Sequence, residues 1–243
     1  MEEKDLKSLN IRTDLVTDII PNVKTNIIEN IYEKDNIKVS NITLDKESAK
    51  LIGKKKGIYT TIFFEDITDK DNYNKVLNIL VKELHKIISK TSLKKDYTSL
   101  IIGLGNIKST PDSLGPRVIE NIIVTKHIYD YYKSLEKGYK ITEAFAPGVK
   151  ATTGIETSDM VSSIIKLEKP DLLIVIDALA SDSIDRVCKT IQITNAGINP
   201  GSGIGNERKE ISYETLNIPV IAIGVPMVVD AVTIVSDTIN YME

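Results

Sequence analysis

The chain has one cysteine, two histidines and no tryptophan in 243 residues. Cys188 alone can form no internal disulfide, which excludes the disulfide-stapled secreted scaffolds. Neither sign of charge dominates: 31 Lys plus Arg stand against 34 Asp plus Glu, a formal net charge of -3. No broad field that would draw in nucleic acid or anionic lipid is written into such a composition. The opening "MEEKDLKSLN" lacks the basic and apolar regions of a secretory signal, so a cytoplasmic location is expected. The stretch "IPVIAIGVPMVVDAVTIV" (218–235) approaches membrane-spanning length, but Pro219, Gly224, Pro226 and Asp230 divide it into a short strand and a following helix.

Several catalytic kits are missing too. His85 and His127 both fall on amphipathic, charge-rich helical stretches and read as surface positions rather than ligands or triad members. Ser202 lacks the G-x-S-x-G spacing of a nucleophile elbow, and Cys188, inside the strand-like "RVCKTIQI", reads as a small core residue. "GLGN" opens like a dinucleotide fingerprint, yet Lys108 stands where the third glycine belongs and Pro111 interrupts the step to the helix. The cluster "NPGSGIGN" (199–206) has no Gly-Lys-Ser/Thr ending, so it is no phosphate loop. It fits a loop over a crevice, with Gly201, Gly203 and Asn206 as candidates to face a ligand.

What is present is an ordinary globular chain, 42% hydrophobic and 27% charged, of a length that suits one α/β domain with an appended segment. The first 35 residues are polar, with one helix expected near 22–33. Residues 37–44 and 58–65 are β-branched enough for strands and flank the helix-like "KESAKLIG", ended by Gly53, a small strand-helix-strand unit. From 70 to 91, Val76, Ile79, Leu80, Leu84, Ile87 and Ile88 recur at helical spacing. The strand "SLIIGLG" follows, then a helix opened by Pro116 and running to about 135, and a strand in "YKITEAFAPG". Thr153 and Glu156 stand at capping-box spacing ahead of a helix ending at Pro170. "DLLIVIDAL", "VCKTIQIT" and "PVIAIGV" read as further strands before a last helix. Alternating strands and helices imply a mostly parallel sheet covered on both faces.

In such sheets ligands bind beyond the carboxyl ends of strands. Asp177 ends the strand "LLIVID", and Asp112 lies with Asn106 in the loop after the strand at 99–103, so two carboxylates can face one crevice. Each also has an ordinary structural reading: Asp112 as a helix N-cap, Asp177 as a turn residue bonding local amides. Asp230, after "VPMVV", is most simply a helix-start residue.

Blocks over nearly the whole length resemble the germination proteases of spore-forming bacteria: "IRTDL", "GLGN" with "TPDSLGP", "APGV" with "TGIETSD", "KPDLLIVIDALAS", "NPGSGIGNERKE" and "IPVIAIGVPMVVDAVTIVSDT". The resemblance implies the fold of hydrogenase-maturation endopeptidases, a twisted sheet between helices, and a homotetramer. It also implies an aspartic-type endopeptidase acting on small acid-soluble spore proteins, with Asp112 and Asp177 as the catalytic acids and no cofactor, direct nucleic-acid partner or membrane. The family is made as a zymogen. By resemblance the bond it cuts in itself joins Asp14 to Leu15, with 1–14 as the propeptide-like arm and 15–243 as the peptidase domain. In the related maturation endopeptidases the matching acids bind a metal together with a histidine, and no histidine stands at a matching late position here. A metal-dependent peptidase and a non-catalytic α/β binding module are the alternatives. Ile107, Lys150 and Asp182 depart from the family's usual residues, and the family's C-terminal region is expected to be missing.

Overall fold

The computed structural model describes residues 13–22, 27–200 and 209–242. One eight-stranded sheet organises them: β1 Ile28–Lys34, β2 Ile37–Leu44, β3 Gly57–Phe63, β4 Thr98–Gly103, β5 Ile141–Phe145, β6 Leu172–Ser181, β7 Thr190–Thr194 and β8 Val220–Val229. Their order is β1-β2-β3-β7-β8-β6-β4-β5. The β8-β6-β4-β5 half is parallel throughout, and every pair from β1 to β8 through β7 is antiparallel. Six strands nevertheless point the same way, with only β2 and β7 reversed. The fold is thus the expected α/β sheet between helices, with the parallel character concentrated in one half.

Alternation along the strands divides the core between the two faces. On one face Ile37, Val39, Ile62, Leu172, Ile193 and Ile221 pack against Val76, Ile79 and Ile87 of the long helix Lys70–Ile88. On the other, Leu173, Val175 and Val220 meet Val161 and Ile165 of the helix Thr157–Glu168. That same face, further along the antiparallel half, carries Ile42, Leu44 and Tyr59 packed against Val16 and Ala49 from the short helices Val16–Ile19 and Lys46–Leu51. A gap between these two clusters is where the crevice lies.

Several local expectations are corrected. Residues 28–34 form strand β1, not part of a helix, because they pair along their whole length with β2. A two-residue turn closes that hairpin, with Asp35 and Asn36 both at positive φ (55° and 63°), the twist-matched geometry of a type I′ turn. The single helix expected from Pro116 to about 135 is two, Leu114–Ile119 and Lys126–Tyr132. Between them lies the β-branched run Ile122–Thr125, which loses side-chain freedom in a helix, and Thr125 instead bonds β5 through Thr142. Thr153 does not cap the helix: its hydroxyl bonds Val149 O and Ile155 O, and Glu156 takes the cap position without a side-chain bond to the helix amides. The strand expected to stop near Pro226 continues to Val229, with a bulge opposite Leu179/Ala180 that admits one extra residue. Cys188 is exposed, in a turn with left-handed backbone (φ 57°) ahead of β7, and is not a core residue.

Candidate active site

The acid on β6 interrupts a pattern that otherwise builds core. Leu173 and Val175 point into the cluster under the helix Thr157–Glu168, and Asp177, next on that face, stands beyond it. Asp177 is 7% exposed, and its Oδ1 accepts the Ala178 amide at 2.9 Å. It does bond local backbone, as an ordinary turn acid would, but it sits inside a strand that runs on to Ser181. Across the sheet Asp177 aligns with Gly224 of β8, and Gly224 with Gln192 of β7. The acid and the amide therefore share a face about two strand spacings, roughly 10 Å, apart, with a glycine between them.

Asp112 reaches the same place by a loop that folds back on its own strand. Leu104 N still bonds Ile176 O at 2.8 Å as β4 ends, and then Gly105 turns the chain at φ +114°. A Cβ at Gly105 would stand 2.0 Å from Asp112 O, and one at Gly115 2.2 Å from Leu104 O, so only glycine permits this backbone-on-backbone approach. Asn106 pins the loop: its amide donates to Asp112 O at 2.8 Å and its Oδ1 accepts from Lys108 N at 3.0 Å. Asp112 closes the 3-10 turn Thr110–Asp112, and the helix cap falls on Ser113, so the N-cap reading of Asp112 does not hold.

Asp112 and Asp177 line one cavity of about 830 Å³ at the carboxyl ends of β4 and β6. Asn106 shapes the loop without lining the cavity; Gly197, Ile198, Asn199 and Pro200 line it, while Gly201, Ser202, Gly203 and Asn206 lie outside the described residues. His85 and His127 are exposed on helices, as expected. Asp230 starts the last helix, Ala231–Met242, accepting from Val232 N at 2.9 Å. Among the described residues no group of three or more His, Cys, Asp or Glu stands close enough to hold a metal ion. No helix among them is long and apolar enough to cross a membrane.

The cavity also holds a piece of the chain itself. Thr13 and Asp14 run beside the end of β6, where Asp14 N donates to Ala180 O and Ala180 N donates to Asp14 Oδ2, both at 2.9 Å. Lys54 Nζ donates to Thr13 O at 3.0 Å and to Asp14 O at 3.1 Å. Gln192 Nε2 donates to Asp14 O at 3.3 Å while its Oε1 accepts from Val16 N at 3.0 Å. Leu15 N donates to Thr13 Oγ1 at 3.1 Å, and the Leu15 and Val16 side chains are fully buried. The segment expected to be cut is anchored in the crevice that carries both acids.

Burial pulls the Lys54 ammonium's pKa down, against the opposing pull of the Asp14 and Asp18 carboxylates. A second acidic pair flanks the segment. Asp18 accepts from Thr13 Oγ1 at 2.8 Å and from Asp182 N at 3.3 Å, with Arg186 Nε 3.5 Å away. Burial first, then the hydrogen bond and charge of Asp18, raise Asp182 to about 7. Of the other positions read from the sequence as departures from the family's pattern, Ile107 is exposed and Lys150 pairs with Glu156 at 3.1 Å.

Lys54 and Gln192 were not picked out from the sequence. The available signal was Thr190, Gln192 and Thr194, three buried polar residues on one face of a strand whose other face is isoleucine. A polar stripe facing inward marks a cavity rather than a packed core.

Comparison with known proteins agrees with the blocks read from the sequence. A family model described as germination protease matches residues 7–243. The germination protease of Bacillus licheniformis is 52% identical over 214 residues, covering 87% of this chain and 58% of the relative. That of Oceanobacillus iheyensis is 51% identical over 209 residues, 85% of this chain and 57% of the relative. With the germination protease of Bacillus subtilis, 44% identity extends over 253 aligned positions, 99% of this chain and 69% of the relative. The chain thus spans somewhat over half the length of the first two relatives. With a family model and relatives that match along nearly its whole length, the chain belongs to the germination protease family.

Proposed function

We propose that the chain is an endopeptidase that begins the degradation of small acid-soluble spore proteins at germination, made as a zymogen that cuts its own Asp14–Leu15 bond. Asp112 and Asp177 act as an aspartic-type pair. The reading rests above all on one observation: Asp112, Asp177 and Asp14 line a single cavity. Two carboxyl groups that close on one scissile peptide repel each other's charge, which favours a state with one ionised and one protonated. The ionised group takes a proton from water as the water attacks the peptide carbonyl, and the protonated group delivers one to the leaving nitrogen. Family membership extends the reading to a homotetramer in the spore-core cytoplasm.

The test is incubation of the purified chain with a small acid-soluble spore protein, with and without a chelator, and mapping of the fragments by mass spectrometry. Discrete cuts that persist in the chelator, and vanish in Asp112→Asn and Asp177→Asn chains of native circular dichroism, are expected. Cutting that collapses on chelation and returns with added metal would transfer the reaction to a metal-dependent mechanism. No cutting by the wild-type chain would leave a binding module.

A further inference from the structure

We propose that Lys54 and Gln192 are the carbonyl-binding pair of this site, taking the oxygen of the peptide bond being cut and stabilising the oxyanion that forms on it. The inference rests on the reading of Asp14–Leu15 as a bond cut in this cavity, and adds to it the groups that neither acid can supply.

The geometry carries the argument. Two bonds to Ala180, one from the Asp14 amide and one to the Asp14 carboxylate, fix Asp14 along β6, so the position of its carbonyl is set. That oxygen receives two donors, Lys54 Nζ at 3.1 Å and Gln192 Nε2 at 3.3 Å. The acceptor end of Gln192 is engaged by Val16 N at 3.0 Å, which turns its amide N–H toward the carbonyl. A neutral donor would suffice to hold a segment in place. An ammonium drawn out of water is a costly choice for that purpose, and its energetic return comes when the carbonyl it touches becomes an anion.

The step balances. Water oxygen bonds to the Asp14 carbonyl carbon as its proton passes to the ionised member of the acid pair, and the carbonyl π electrons move onto the oxygen held by Lys54 and Gln192. When that oxygen reforms the double bond, the carbon–nitrogen bond breaks and the Leu15 nitrogen takes a proton from the protonated acid. The products are a carboxyl group on Asp14 and an amino group on Leu15. Once the segment leaves, the same two donors face the cavity and can receive the carbonyl of a second peptide.

The test follows the uncut full-length chain by intact mass as the Leu15 terminus forms. Lys54→Met and Gln192→Leu are each expected to slow that step by about 100-fold or more, the usual loss on removing one oxyanion donor. Lys54→Arg, which keeps the charge, should recover part of the rate. A Lys54→Met chain that melts like its parent and cuts within about tenfold of its rate overturns the proposal. Should Lys54→Met fail to fold, Lys54→Gln, a donor without the charge, is read against the same threshold. Asp177→Asn run alongside separates the two ideas. Cutting that survives Lys54→Met but not Asp177→Asn sinks the carbonyl pair alone; cutting that survives Asp177→Asn but not Lys54→Met sinks the acid pair and keeps the donors.

Discussion

The two halves of the sheet contribute to the crevice in different ways. In the parallel half, β4 ends at Gly103 beside Ile176 of β6, and the loop after β4 brings Asp112 to the crevice that Asp177 of β6 also lines, on the side where such sheets place their sites. In the antiparallel half nothing converges by topology alone. Gln192 comes from the middle of β7, and Lys54 from the turn after the helix Lys46–Leu51, packed over the same face. On the proposed reading the first half supplies proton-transfer groups, while the second supplies donors that grip the chain's own peptide. A crevice in which chemistry and grip come from different topologies can lose either one separately.

That separation can be broken by substitution. The largest effect belongs to the parallel half: Asp177→Asn or Asp112→Asn should lower self-processing by at least about a thousandfold, within the range for losing an acid or base, with the melting temperature held. Quenched-flow or hand-mixed time courses read by gel check the first point and calorimetry the second. In the antiparallel half, Ile62→Ala empties a fully buried position against the long helix and should cost about 2–5 kcal/mol of stability, measured by urea unfolding, with the cutting rate per folded molecule unchanged. Gly115→Ala should do both kinds of damage. Its Cβ would meet Leu104 O at 2.2 Å, so the loop must move, costing about 1–3 kcal/mol and displacing Asp112, and the rate should fall with the stability.

The smallest effect concerns pH. Asp182, at about 7 in the fold against 3.8 as its ordinary value, holds its proton to higher pH folded than unfolded. Its contribution to stability therefore declines as pH rises from about 4 to about 7 and stays lost above that. Asp182→Asn removes the decline, so the variant should melt a few degrees above the parent near pH 8, with a smaller gain near pH 5, by scanning fluorimetry. An equal gain at both would place the effect outside the titration.

How much of this was legible in sequence follows the same division. Asp177 stood out because a carboxylate that interrupts a buried apolar run is a local pattern, whereas Asp112, in the loop after β4, was picked out as a possible partner and given a role only by the family resemblance. The donors were not, because Lys54 is a lysine in a lysine-rich turn until the fold brings Thr13 and Asp14 to it. Strand β1 escaped for a related reason: its residues are almost all exposed, so no alternation marks them, and only the Asp35–Asn36 turn announces the hairpin. The glycines of "GLG" looked like a poor nucleotide motif. Their need is steric and appears only once Gly115 and Asp112 are seen to return against the strand end.

The most direct test of the account is the intact mass of the full-length chain, followed over time for the wild type and for Asp177→Asn. The account predicts a wild-type product that begins at Leu15, accompanied by loss of residues 1–14, and an Asp177→Asn chain that keeps its full mass. A wild-type product that begins elsewhere, or an Asp177→Asn chain that forms the Leu15 terminus at the wild-type rate, would contradict it.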